Sequence, residues 1–356
     1  MSARLIDDVL IMILEELALP AHAREAYRSR QETLRSVCLA SRRLRRLAQP
    51  MLWRQSVVRS REQLDSLVSA APGALGRYTK LLTVVGSPSL GLDEAIAVSA
   101  SFCPEVAEIR LACSPILLAL DFALLSDFTN LRKLHVEKVK LLEGQYATLP
   151  ALEELCLHRV VTSSRWVELQ LRGARVPRLR EVYFIELPGG GPSMIKLDEA
   201  ISPDILHGLE ILQVDARAVH ADGELARGTS PPVLIFHPQF DLAPRPLDRH
   251  TFCHPFLFRY NSSAGDSLSA LAQRLDLTPP SPPSTTRPPL LVLPLFLRRV
   301  AVTEPLVKQH MRVVEALCVA KGVRIMWDDE ELDGELISPA FRRCARELRE
   351  ARALER

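Results

Sequence analysis

One spacing recurs along the middle of this chain and constrains its fold more than any other feature. An apolar residue is followed by two variable residues, a second apolar residue, one variable residue and a third apolar residue. It occurs at Val106/Ile109/Leu111, Leu131/Leu134/Val136, Leu152/Leu155/Leu157, Leu179/Val182/Phe184 and Leu209/Leu212/Val214, with a weaker copy at Thr79/Leu82/Val84. The last two apolar positions are two residues apart, so on a strand both side chains point to one face. Pro104, Pro150 and Pro177 each stand two residues before the first position of a copy. Proline there stops an incoming helix and sets extended backbone. Copies begin roughly 20–30 residues apart, room for one strand and one return segment.

No single copy buries its own apolar face, so neighbouring copies must stack to make a core. The run from Thr79 to about Arg217 resembles a divergent leucine-rich-repeat protein. The expected fold class is α/β, an N-terminal three-helix module followed by a leucine-rich-repeat solenoid with an irregular C-terminal part. In such a solenoid the variable residue between the two inward strand positions faces the concave side. That column is Arg110, His135, Cys156, Tyr183 and Gln213, flanked by Glu108, Lys133, Glu154 and Glu181. Parallel strands about 4.8 Å apart would align these residues into a target-binding surface with Tyr183 as its anchor.

Ahead of the repeats, Val9, Leu10, Ile13, Leu14 and Leu17 fall at helical spacing, with Asp7, Asp8, Glu15 and Glu16 on the other side. A basic run follows in which Leu34, Val37, Cys38, Leu44, Leu47 and Leu52 lie among Arg35, Arg42, Arg43, Arg45 and Arg46, closing on Pro50-Met51-Leu52-Trp53. About fifty residues bury too little surface for comfortable independent stability. The pair therefore reads as a docking handle.

These residues resemble the F-box, the adaptor-binding module of SCF-type (cullin-RING) ubiquitin ligases. The matching positions are Leu5-Ile6-Asp7-Asp8-Val9, Ile13-Leu14 and Leu17, then Leu34, Val37, Cys38, Ser41, Arg42, Leu44, Pro50, Leu52 and Trp53. Ile6 stands where the pattern has Pro, Asp8 where it has Glu, and residues 18–33 make a long connector. The resemblance implies that Leu5, Val9, Leu10, Ile13, Leu14, Leu17, Leu34, Val37, Leu44, Pro50, Leu52 and Trp53 bind a Skp-family adaptor. It implies a substrate receptor of a cullin-RING ligase whose repeats hold an unknown target protein, and which makes and breaks no bonds itself. A repeat scaffold without any ligase role is the alternative.

Of the 356 residues, 47% are apolar and 25% charged, as in folded globular proteins. A net charge of +2 gives no global pull towards nucleic acid or membrane. The basic stretch Arg24 to Arg61 has few aromatics besides Tyr27 and Trp53, and its arginines alternate with core-type leucines, which argues against nucleic-acid binding. The seven cysteines are dispersed and form no Cys-x-x-Cys, so neither zinc nor a disulfide framework is expected. A reducing compartment, cytoplasm or nucleus, fits. Ala21-His22-Ala23 looks like a cleavage box, but the apolar run before it is too short and too charged for a signal peptide.

Five segments are expected: helices over 1–60, the solenoid over 61–220, a Pro-rich linker over 221–289, final repeats over 290–340 and a charged helix over 341–356. Val313–Ala320 reads as a helix, Gly322 as its cap and Val323–Trp327 as a strand. No catalytic motif is found. Gly189-Gly190-Gly191-Pro192-Ser193 lacks the Gly-Lys-Ser/Thr ending of a phosphate loop. His237, His250, Cys253 and His254 match no zinc spacing. No cofactor is expected.

Overall fold

The computed structural model describes residues 3–18, 24–70, 75–113, 116–185, 201, 205, 208–214, 233–235, 250–252, 264–277, 280, 290–328, 342–343 and 346. The chain divides into two compact units, Met1–Thr162 with Arg172–Arg178, and Ser163–Leu171 with Leu179–Arg356.

The first unit opens with three helices, α1 (Ala3–Leu17), α2 (Arg24–Ala40) and α3 (Arg42–Leu52). Its sheet pairs β1 (Gln55–Val58), β2 (Leu81–Gly86), β3 (Glu108–Cys113), β5 (Lys133–Glu137) and β7 (Glu154–His158) in that order, every pairing parallel. The strands β4 (Leu118–Leu120) and β6 (Val139–Leu141) form a separate parallel pair. Register explains the apolar spacing: Leu82, Ile109, Leu134 and Leu155 form one ladder, and Val84, Leu111, Val136 and Leu157 another. All eight side chains are buried. Helices α4 (Arg61–Ala70) and α5 (Leu92–Phe102) return the chain between the first strands, and α5 buries Leu92, Ala95, Ile96 and Ser99. Lys138 and Arg159, one after β5 and one after β7, both take φ 54°. The Lys138 amide donates to the His158 carbonyl at 3.0 Å, so these two left-handed turns stack on each other.

In the second unit β8 (Glu181–Ile185), β9 (Ile211–Val214), β10 (Val233–Ile235), β11 (His250–Phe252), β12 (Leu290–Pro294) and β13 (Arg324–Asp328) also pair in parallel and in sequence. Its helices are α6 (Ser164–Gln170), α7 (Ala264–Leu277), α8 (Phe296–Thr303) and α9 (Pro305–Lys321). One core joins Leu268, Leu271 and Leu275 of α7, Leu291 and Leu293 of β12, Leu297 of α8 and Val307, Val314 and Cys318 of α9. Pro305 opens α9, where its missing N–H costs nothing, and Gly322 closes it at φ 67°.

The expected leucine-rich-repeat solenoid with an irregular C-terminal part is corrected to an α/β arrangement of all-parallel strands. Strands extend beyond the repeat-like copies: β1 precedes them, and β10, β11 and α7 lie within 221–289, the stretch expected to be linker. The return segments are unlike one another, from the 3-10 turn Phe122–Asp127 to the 17-residue α9. Paired apolar positions are what any parallel strand needs on its covered face, so they mark strands without specifying a repeat. Of the expected C-terminal helix, only Arg342, Arg343 and Arg346 are described, all helical.

Gly76, in the 3-10 turn Leu75–Tyr78, lies against the end of α5, and a Cβ there would collide with the Phe102 carbonyl. Gly76→Ala is expected to cost about 1–3 kcal/mol, read as a lower urea midpoint with unchanged slope.

Candidate docking surfaces

The three opening helices hold together by a small core. Leu14 and Ala18 of α1 and its C-terminal end meet Leu34 of α2 and Ala48 of α3, with Val37, Cys38, Leu47, Met51 and Leu52 packed around them. Polar ties add direction. The Asp7 carboxylate lies 2.6 Å from Arg43 and 3.8 Å from Arg46, joining α1 to α3. The Arg30 guanidinium donates to the Ala18 carbonyl at 3.3 Å, and the Gln31 amide to the Leu52 carbonyl at 3.2 Å. Ser41 caps α3, its hydroxyl accepting from the Leu44 amide. The Thr79 hydroxyl donates to the Trp53 carbonyl, so the end of α3 is fastened to the start of the first sheet.

The side of α1 facing away from this core is also apolar. At 100° per residue, Asp7, Leu10, Leu14 and Ala18 fall on one side, Val9 and Met12 fall opposite them, and Ile13 stands at the side between. Val9 is 51% exposed, Met12 66%, Ile13 53% and Leu17, at the flank, 43%. A surface helix normally carries polar residues on its outer side. Asp8, Glu15 and Glu16 are the polar members here, all exposed beside these apolar side chains.

The residues expected to bind an adaptor therefore separate. Val9, Ile13 and Leu17 are open to solvent, whereas Leu10, Val37, Leu44, Pro50, Leu52 and Trp53 are half-buried. Leu14 and Leu34 are corrected to core: at 3% and 0% exposure they hold the helices together and present nothing outward. Leu5 lies on α1, with its side chain outside the described residues. Met12 and Leu39 of α2, the latter 77% exposed, went unnoticed in the sequence. Completing the helical wheel through Val9 and Ile13 would have found Met12.

The expected target-binding column is also corrected. In the first unit Arg110, His135 and Cys156 are in register, as are Glu108, Lys133 and Glu154. Glu154 and Cys156 are buried rather than displayed. The Glu154 carboxylate has His135 Nε2 at 2.7 Å and Lys133 Nζ at 3.6 Å, and Arg110 Nε donates to Glu108 at 2.7 Å. These charges satisfy one another across the ladder. In the second unit Tyr183 is fully buried; its hydroxyl donates to Glu181 at 2.8 Å, and Arg342 Nε donates to the same carboxylate oxygen at 3.2 Å. The side chain of Gln213 lies outside the described residues. Strand alternation assigned these residues to one face correctly, but it carries no information about what lies over that face.

Burial raises the thiol pKa of Cys103, Cys113 and Cys156, and that of Cys318 to about 12; Glu154 adds to the effect at Cys156 and Glu315 at Cys318. Burial therefore favours the protonated thiol at all four. Among the described residues no group of three His, Cys, Asp or Glu side chains could hold a metal. His237, Cys253, His254 and the Gly189–Gly191 run lie outside those residues. No described helix is long and apolar enough to cross a membrane. No protein-family model matches the chain, and no curated protein matches it.

Two outcomes follow from the burial pattern. Site-resolved alkylation of the native chain at pH 8 should leave Cys103, Cys156 and Cys318 unmodified, with labelling appearing only on unfolding. Tyr183→Ala should lower stability by about 3–5 kcal/mol in denaturant titration, the effect of emptying an aromatic core position.

Proposed function

We propose that this chain is the substrate-recognition subunit of an SCF-type (cullin-RING) ubiquitin ligase, with α1 to α3 docking on a Skp-family adaptor. The observation that carries the reading is the outward apolar side of α1, Val9, Met12, Ile13 and Leu17, on a helix whose inner side is already occupied by its own core. Burying an exposed apolar side chain of this size contributes about 1.5–3 kcal/mol, so four half-covered ones offer a partner enough to bind. The F-box-like positions Val9, Ile13 and Leu17 are members of that set. A ligase receptor works in the cytoplasm or nucleus.

In this role the protein contributes proximity. Holding a target near the ubiquitin-loaded enzyme raises the effective concentration of the reacting groups. Side chains partly open to a target are those of Glu108, Arg110, Lys133 and His135 on the strands, together with Glu137 at 40% exposure and Lys138, in the turn after β5, at 44%. Their mixed charge suits a polar protein surface.

The test is co-purification of the full chain with the adaptor. Val9→Asp/Ile13→Asp should weaken binding at least tenfold while leaving the free energy of unfolding within about 0.5 kcal/mol of the parent, since both side chains are exposed. Leu14→Ala should act differently, destabilising the helices by about 2–5 kcal/mol. Adaptor binding that is absent in the parent, or intact in the double variant, sinks the ligase reading.

A further inference from the structure

A cavity of about 690 Å³ opens in the first unit among α2, the end of α3, β1 and α4. Its apolar wall includes Leu52, Trp53, Val57 and Leu67, and Gln31 and Gln63 bring amides to it. Three arginines line it. Arg28 is paired with Glu32 at 3.2 Å, the only carboxylate among the lining residues. Arg35 and Arg59 have no ion-pair partner among the described residues. Tyr27 also lines the cavity, and Arg30 stacks on its ring at 5.3 Å. Burial raises the Tyr27 hydroxyl pKa, against a downward pull from Arg30, Arg35 and Arg59, so all three guanidiniums lie close enough to act on it. That hydroxyl stays protonated at neutral pH and is a donor.

The lining charges do not cancel. Arg28 and Glu32 neutralise each other, which leaves the two positive charges of Arg35 and Arg59 beside an apolar wall containing an indole. Guanidinium pairs bind phosphate oxygens through charge-assisted hydrogen bonds. A cavity of this volume is the size that encloses a small organic ligand.

We propose that this cavity binds an aryl phosphate, its dianionic head between Arg35 and Arg59 and its ring against Trp53 and Leu67. The group could be free or borne on a phosphorylated tyrosine; the shared chemistry is a phosphomonoester dianion on an aromatic ring. The cavity shares Leu52 and Trp53 with the expected adaptor-binding set but includes no residue of α1, and its ligand is read by calorimetry without the adaptor.

Titration calorimetry on the full chain tests it with phenyl phosphate, inorganic phosphate, benzyl alcohol and a short phosphotyrosine peptide. Phenyl phosphate should bind with a Kd at least tenfold lower than either inorganic phosphate or benzyl alcohol. Arg35→Gln/Arg59→Gln should weaken it at least tenfold, with far-UV circular dichroism unchanged. Trp53→Leu should weaken phenyl phosphate more than inorganic phosphate. A peptide that binds more tightly than phenyl phosphate identifies the peptide as the source, and one that binds more weakly identifies the free compound. No heat with phenyl phosphate at millimolar concentration, or equal affinity in the arginine double variant, overturns the proposal.

Discussion

A single short helix carries apolar surface on two sides, and the described residues cover only one of them. Leu14 and Ala18 pack against Leu34 and Ala48, and this contact fixes the rotation of α1 about its axis. Once that rotation is set, Val9, Met12 and Ile13 have nowhere to go but outward. The Asp7 ion pairs with Arg43 and Arg46 reinforce the same orientation. Each such pair, partly exposed, is worth at most about 1 kcal/mol, so the buried leucines decide the geometry and the charges only guide it.

The parallel strands of each unit solve a different problem. In β2, β3, β5, β7, β8 and β12 two apolar side chains two residues apart are buried, and parallel pairing in strict register turns such pairs into continuous ladders such as Leu82–Ile109–Leu134–Leu155. Some of the alternate positions are polar, and these meet one another locally: His135 and Lys133 on Glu154, Arg110 on Glu108, Arg342 on Glu181. A face of this kind is polar, with its charges paired within it. It differs in character from α1, where apolar surface is left without any counterpart in the described residues of the module.

What could be read from the residues alone divides along the same physical line. The paired apolar positions and the prolines before them located β3, β5, β7, β8 and β9, because a covered strand leaves a period-two trace. They could not locate β10 or β11, three residues each, in a stretch dominated by proline. Nor could they distinguish a repeat from unequal crossovers, because the trace records one covered face and says nothing about the return. Gly322 was legible as a cap because a left-handed backbone position favours glycine. Burial of Tyr183, Glu154 and Cys156 was illegible, since it depends on neighbours far away in sequence. The cavity beside Trp53 was hidden for the same reason: Tyr27, Arg35 and Arg59 come together only after α2, β1 and α4 are placed.

The central claim, that α1 keeps an apolar side uncovered for a partner, is tested most directly by thiol labelling at a cysteine introduced there. In the full chain carrying Met12→Cys, the new thiol should react at close to the rate of a free peptide thiol. Addition of the adaptor should slow it at least tenfold. Slow labelling in the isolated chain would mean that the molecule already covers this side itself, and would contradict the account.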